Sequence, residues 1–334
     1  MGNRISDTGT PLFYSKILLF GEYSVIFDSM ALSVPFSRFN AGFRFLNSNR
    51  YPDNDFAVRS NAMLSEYCLW LQIANREGQL KGHFDTDAFI RDIEAGIFLE
   101  SNIPQGYGLG SSGALCAAVY DRYANSRIDY GPAAGYHEMR ELKKIFASME
   151  SWFHGTSSGL DPLNCYLRRP VLVGPHEKIS IVVIPGEGGK EGADIFLIDT
   201  GRAGKTGPLV RLFVEKAGEQ SFMELVRDTM IPSVNNCIGS MLNPDMTAFM
   251  SDLKRLSEFQ LIHMKEMIPC DFTGLWETGL GTDDFYLKLC GSGGGGYLLG
   301  FTGNFEKANS TLAKLGVDFI PVYIKNCGQG LKSR

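Results

Sequence analysis

Two rhythms of hydrophobic and polar positions run along this 334-residue chain. Compact apolar blocks bounded by turn residues predict strands over 13–20, 31–36, 41–46 and 96–101. Apolar residues at helical spacing predict helices over 55–76, 111–123 and 132–152. Pro132 falls in the first turn of the last helix, where a missing N–H costs nothing. After Asp161 the pattern changes. Strands are expected over 170–173, 178–184 and 194–198, with a polar, glycine-rich turn at 186–192. Helices are expected around 206–218, 220–229 and 245–267. Strands 285–290 and 297–301 flank a glycine cluster, and a helix (304–315) and a strand (317–324) follow. A domain boundary is placed near 178, giving units 1–178 and 179–334.

Composition narrows the function. With 44% hydrophobic and 21% charged residues the chain has the make-up of a soluble globular protein. A net charge of −5 and the lack of any Lys/Arg run argue against nucleic acid as a partner. No apolar run approaches a membrane span, and the N-terminus lacks a secretory pattern. Residues 1–6 match a myristoylation pattern, but so short a match carries little weight. The seven cysteines are scattered, without a C-x-x-C pair. They fit reduced thiols in a cytoplasmic protein better than a disulfide frame or a zinc site.

Four places carry candidate chemistry. The first is the loop Pro104-Gln105-Gly106-Tyr107-Gly108-Leu109-Gly110-Ser111-Ser112, running straight into the apolar stretch 113–119. Three close glycines let backbone N–H groups converge, and a helix start adds free N–H groups and a positive dipole end. Gly106, Gly108, Leu109, Gly110, Ser111 and Ser112 together suit a phosphate, and Ser112 can reach a metal held by that phosphate. The second is Lys16 inside the apolar strand Lys16-Ile17-Leu18-Leu19-Phe20, followed by Gly21-Glu22-Tyr23. Alone, Lys16 reads as an edge residue pointing to solvent. The third is Glu150, then His154-Gly155-Thr156-Ser157-Ser158-Gly159-Leu160-Asp161. Small residues here let backbone approach a ligand; Asp161 has the chemistry of a base or an orienter of a hydroxyl, and Glu150 the hard oxygen that Mg²⁺ prefers. His154 by itself reads as a structural histidine. The fourth is the small-residue run Gly291 to Gly296 after Lys288-Leu289-Cys290.

Two motif-like stretches fail on context. Gly291-x-Gly293-x-x-Gly296 fits the dinucleotide fingerprint, yet a strand rather than a helix is expected after it. Asp199 to Thr206 is one residue from a P-loop, with Asp where the first Gly must stand.

These four places, in this order, resemble the GHMP kinase superfamily. The loop 104–112 resembles its ATP signature, P-x-x-x-G-L-G-S-S-[GA]-A, and 291–296 its late glycine motif. Within the superfamily the chain is most similar to the mevalonate kinase family. Lys16 to Glu22 match K-x-x-L-x-G-E, and Glu150, His154, Gly155, Ser158, Gly159 and Asp161 match E-x-x-x-H-G-x-x-S-G-x-D. The resemblance implies an α+β fold of two lobes. The N-terminal lobe would be ribosomal protein S5 domain 2-like and the C-terminal lobe ferredoxin-like, with ligands in the cleft between them. It implies ATP and Mg²⁺, with Asp161 and Lys16 catalytic and residues 106–112 cradling phosphate. Ser112 and Glu150 would hold the metal. Glu22, Tyr23, His154, Ser158, Gly159, Thr206 and Gly293 would lie near the substrate, a small alcohol such as mevalonate. Homodimers are common in the family. Three departures stand out: Tyr23 where the family often has His, Tyr14-Ser15 where it has Pro-Gly before the lysine strand, and Pro162 where Asn usually follows the Asp.

Overall fold

The computed structural model describes residues 10–46, 54–80, 84–128, 135–185, 194–204 and 206–322. The motif at 1–6, the turn at 186–192, Pro132, Lys205 and Cys327 lie outside the described residues.

The chain begins with β1 (Phe13–Phe20) and β2 (Ala31–Phe45), then α1 (Asn54–Arg76), α2 (Thr86–Glu94) and β3 (Ile97–Ser101). Three helices follow: α3 (Ser111–Tyr123), α4 (Tyr136–His154) and α5 (Leu160–Leu167). Next are β4 (Val171–Val173), β5 (Ile179–Ile181) and β6 (Asp194–Asp199). The helical run is α6 (Thr206–Ala217), α7 (Gln220–Leu225), α8 (Ile231–Leu242), α9 (Met246–His263) and α10 (Thr273–Thr282). Then come β7 (Tyr286–Leu289), β8 (Tyr297–Thr302), α11 (Phe305–Lys314) and β9 (Ile320–Val322).

Two antiparallel sheets organise these elements. The first has the order β1-β2-β4-β5, with β3 also paired to β2. The second has the order β7-β8-β6-β9. Its chain order, strand–helices–strand–strand–helix–strand, is the ferredoxin-like split βαβ arrangement. The fold is therefore α+β, as expected. β5 lies just past the expected boundary at 178 yet pairs with β4, so the change of sheet falls between 181 and 194. We propose the division of the lobes there.

Two expectations are corrected. The strands at 31–36 and 41–46 are one strand, β2. Residues 37–39 form a bulge against β1, because Ser15 pairs with Phe36 while Tyr14 pairs with Asn40. Exchange between Asn40 and Asn102 holds the outer half against β3 (Asn40 N–H to Asn102 Oδ1, 2.7 Å; Asn102 N–H to Asn40 O, 3.2 Å). Helical structure also continues past 229 into α8 despite Pro232. A π-turn over Val226–Met230 stands immediately before it. The widened turn accommodates the lost N–H and the ring, which a regular α-turn would not. The short helices α2, α5 and α10 were not anticipated.

The lobes share one hydrophobic core. Phe20 at the end of β1 stacks on Phe301 of β8 (centroids 5.4 Å apart) and meets Phe249 of α9 edge-on (6.0 Å). Tyr23 packs against Phe213 of α6 at 4.7 Å. The exit of β1 is thereby seated in the C-terminal lobe, directly beside the glycine segments.

Candidate active site

The glycine loop takes its shape from φ angles near +75° at Gly106, Gly108 and Gly110, a region that side chains disfavour. α3 starts at Ser111, so the first N–H groups of that helix have no intrahelical partner. β1 lies alongside: the Lys16 N–H donates to Leu109 O at 3.0 Å. The stem of Lys16 crosses Gly110 so closely that a Cβ there would stand 3.0 Å from Lys16 Cγ. Lys16 is 4% exposed, so the solvent-facing reading of this lysine is corrected. A cation held in an apolar strand needs a partner. It has one in Asp161, whose Oδ1 is 2.9 Å from Lys16 Nζ. Burial alone would push the Lys16 ammonium down, but the Asp161 carboxylate more than offsets this and holds it above the ordinary lysine value.

Asp161 reaches this place because α5 starts against α3. A Cβ on Gly113 would stand 2.8 Å from Pro162 N and 2.9 Å from Asp161 C, so only glycine permits the approach. Asp161 lies in the first turn of α5 and keeps 41% of its side chain exposed. The pair is thus asymmetric: a sealed cation and an open carboxylate.

Beside it, Ser112 Oγ donates to Glu150 Oε1 at 2.9 Å and lies 3.2 Å from His154 Nε2. Ser157 donates to the other oxygen, Glu150 Oε2. Glu150 is 4% exposed. Burial, reinforced by the negative charge of Asp161, pushes its carboxyl up to about 7, against hydrogen bonds from Ser157 and Ser112 and the charge of Lys16. Glu150 therefore shares one electrostatic field with Lys16 and Asp161. Four residues distant in sequence, Lys16, Ser112, Glu150 and Asp161, come together at the mouth of the glycine loop.

Other expected site residues are placed differently. Glu22 is 4% exposed and bound by Lys288, whose Nζ lies 2.6 Å from Glu22 Oε1. Tyr23 has φ +63° and donates its hydroxyl to Ser292 O. Gly159 caps α5 with its Cα pressed on the α4 backbone at Lys143 and Ala147, leaving no room for a side chain. Ser158 is exposed and accepts from the Leu160 N–H at 3.3 Å. Gly293 is buried against Met267. Thr206 begins α6.

The late glycine segment closes over the loop. The Gly204 N–H donates to Gly106 O at 2.9 Å, and Gly296 abuts Tyr107 so tightly that a Cβ would come within 2.9 Å of its Cα. Lys288, named at the head of the late glycine run but given no role there, is the buried partner of Glu22. Its signal was present: like Lys16, it is a lysine inside an otherwise apolar strand. A cavity of about 330 Å³ opens next to the site, bordered by Trp70, Leu80, Ser151 and Ser157.

The two sheets and the glycine loop that leads into α3 define an α+β class of fold, and comparison with known proteins shows what it is similar to. Residues 79–168 match the family described as GHMP kinases N terminal domain. The fold of the whole chain is similar to that of solved GHMP kinases. Mevalonate kinase from Methanococcus jannaschii has a TM-score of 0.61 at 19% identity, covering 95% of this chain and 98% of that one. Streptococcus pneumoniae phosphomevalonate kinase, solved with phosphomevalonate and AMPPNP, has 0.59 at 16% identity, with 94% and 99% covered. Lactococcus lactis galactokinase, solved with galactose, has 0.62 at 14% identity, with 95% and 94% covered. No curated protein matches the chain by sequence. The likenesses agree on the fold and differ in substrate.

Proposed function

We propose that this protein is an ATP-dependent small-molecule kinase that phosphorylates the primary hydroxyl of mevalonate, giving 5-phosphomevalonate and ADP. The observation that carries the kinase reading is the Lys16–Asp161 pair, with its carboxylate open, set against the glycine loop and Ser112–Glu150. The choice of mevalonate rests on the two motifs around Lys16 and Asp161.

Phosphoryl transfer passes through a loose transition state, so positioning and charge neutralisation dominate. In this reading the amides of 106–112 hold the phosphates. Lys16 neutralises charge gathering on the transferred group, and its burial keeps that charge undiluted by water. Asp161 accepts the hydrogen bond of the acceptor hydroxyl, orienting it and receiving its proton late in transfer. Trp70 and the cavity beside Ser157 would take the nucleoside end.

Ser112 and Glu150 suit Mg²⁺. Their oxygens are hard, and a carboxyl pushed up to about 7 gains most from a neighbouring cation. Among the described residues no group of three or more His, Cys, Asp or Glu could hold a metal alone. Bound there, Mg²⁺ would neutralise phosphate charge. The six described cysteines are all free thiols.

A panel of alcohols assayed with Mg²⁺ and ATP tests the proposal. Mevalonate is expected to give the highest kcat/KM. Faster turnover of phosphomevalonate or a sugar would reassign the acceptor. ATP binding without turnover on any alcohol would make the protein a non-catalytic relative. Asp161→Ala should lower kcat by about two to four powers of ten.

A further inference from the structure

Glu22 and Lys288 form an ion pair sealed from water: their side chains are 3% and 0% exposed, and Nζ lies 2.6 Å from Oε1. Lys288 also donates to Leu289 O at 2.6 Å and sits 5.5 Å from the centre of the Phe20 ring. The partners come from different lobes. Glu22 follows β1, the strand that carries Lys16; Lys288 lies in β7, the strand that leads into the late glycine segment. One residue beyond Glu22, Tyr23 donates to Ser292 O inside that segment. The segment in turn presses on the phosphate loop at Tyr107 and Gly108.

We propose that Lys288 is a positioning residue and that Glu22 serves it rather than the acceptor. The pair latches the exit of β1 to the exit of β7. It thereby fixes the height of the late glycine segment over the loop 106–112 and the reach of Lys16 toward Asp161. With Oε1 taken at 2.6 Å and the side chain closed to solvent, the Glu22 carboxylate has no face to offer a ligand. A buried ion pair is weak evidence for stability but a strong device for register, since few arrangements satisfy both charges. The inference rests on the kinase reading only for its kinetic arm.

The experiment compares Lys288→Met, Glu22→Gln and the double variant by hydrogen–deuterium exchange of the free protein and by kinetics with Mg²⁺, ATP and mevalonate. Lys288→Met should raise exchange in peptides covering 104–112 and 290–296. It should lower kcat about tenfold or more, with the acceptor KM changed less than about threefold. Glu22→Gln keeps an acceptor oxygen for Lys288 but removes its countercharge, so it should lower kcat by less than Lys288→Met does, with the acceptor KM again changed less than about threefold. Adding Glu22→Gln to Lys288→Met removes the stranded charge and should recover part of the lost rate, a non-additivity that separate roles would not give. The proposal is overturned if Glu22→Gln alone raises the acceptor KM tenfold, or if Lys288→Met leaves exchange at 104–112 unchanged. Exchange is read without substrate. A wild-type protein that turns over no alcohol would therefore sink the kinase reading while leaving the latch to be judged by its own arm.

Discussion

Among the described residues, two buried lysines, Lys16 and Lys288, each pair with a carboxylate, and the two pairs have opposite surroundings. Lys16–Asp161 is 2.9 Å long with 41% of the aspartate side chain open; Lys288–Glu22 is 2.6 Å long with both side chains closed. Both lysines stand in apolar strands. What separates them is the carboxylate. Asp161 keeps part of its carboxylate open to solvent, while both side chains of the other pair are closed to it. An open carboxylate beside a sealed cation can change partners during a reaction; a sealed pair holds architecture.

Substitutions break this comparison in opposite ways. Lys16→Met should cost about two to three powers of ten in kcat, from the loss of charge stabilisation at the transferred group. The fold should survive, since the remaining Asp161 carboxylate is partly solvated. Steady-state kinetics beside a circular dichroism melt checks both halves. Lys288→Met should cost less in kcat and more in stability, lowering unfolding free energy by about 3–5 kcal/mol because it strands the Glu22 carboxylate in the core. Chemical denaturation measures it. Equal stability losses in the two variants would erase the distinction.

Glu150 adds a pH handle. Its folded value, about 7, lies above its unfolded one, so the folded state holds this proton more tightly. Below the unfolded value both states are protonated and no penalty exists. As pH rises toward 7 the penalty grows, and above 7 it is complete. Glu150→Gln should therefore stabilise the free protein by about 1–3 kcal/mol at pH 8 and by little at pH 4.5. Melting curves at the two values read the difference. The same variant should weaken Mg²⁺–ATP binding, and wild-type binding should itself weaken as pH falls through 7. The smallest effect belongs to the cavity. Trp70→Ala should raise the KM for ATP about three- to tenfold and leave kcat near wild type.

The sequence disclosed the site better than its surroundings. The loop 104–112 and the helix at 111–123 were legible because glycines and an apolar run obey local rules. Lys16 taken alone read as solvent-facing, and only the resemblance set it beside Asp161, because 145 positions separate the two and pairing at that distance leaves no mark in the strand itself. β2 was split because the Ser37-Arg38-Phe39-Asn40 stretch has turn chemistry; pairing with β1 and β3 overrides it. α8 was missed because Pro232 breaks α-turns, and the π-turn that absorbs it has no sequence signature. Glu22 was assigned to the substrate by resemblance, whereas Lys288 shares with Lys16 the one anomaly that could have suggested a buried partner.

The account turns on one triphosphate being surrounded by Lys16, Ser112, Glu150 and Asp161. A crystal structure with Mg²⁺ and a non-hydrolysable ATP analogue tests this most directly. The phosphates are expected along the 106–112 amides, with the terminal phosphate beside Lys16 Nζ and the metal on Ser112 and Glu150. Phosphates found instead on the segment 199–206, or a terminal phosphate outside the reach of Lys16 and Asp161, would contradict it.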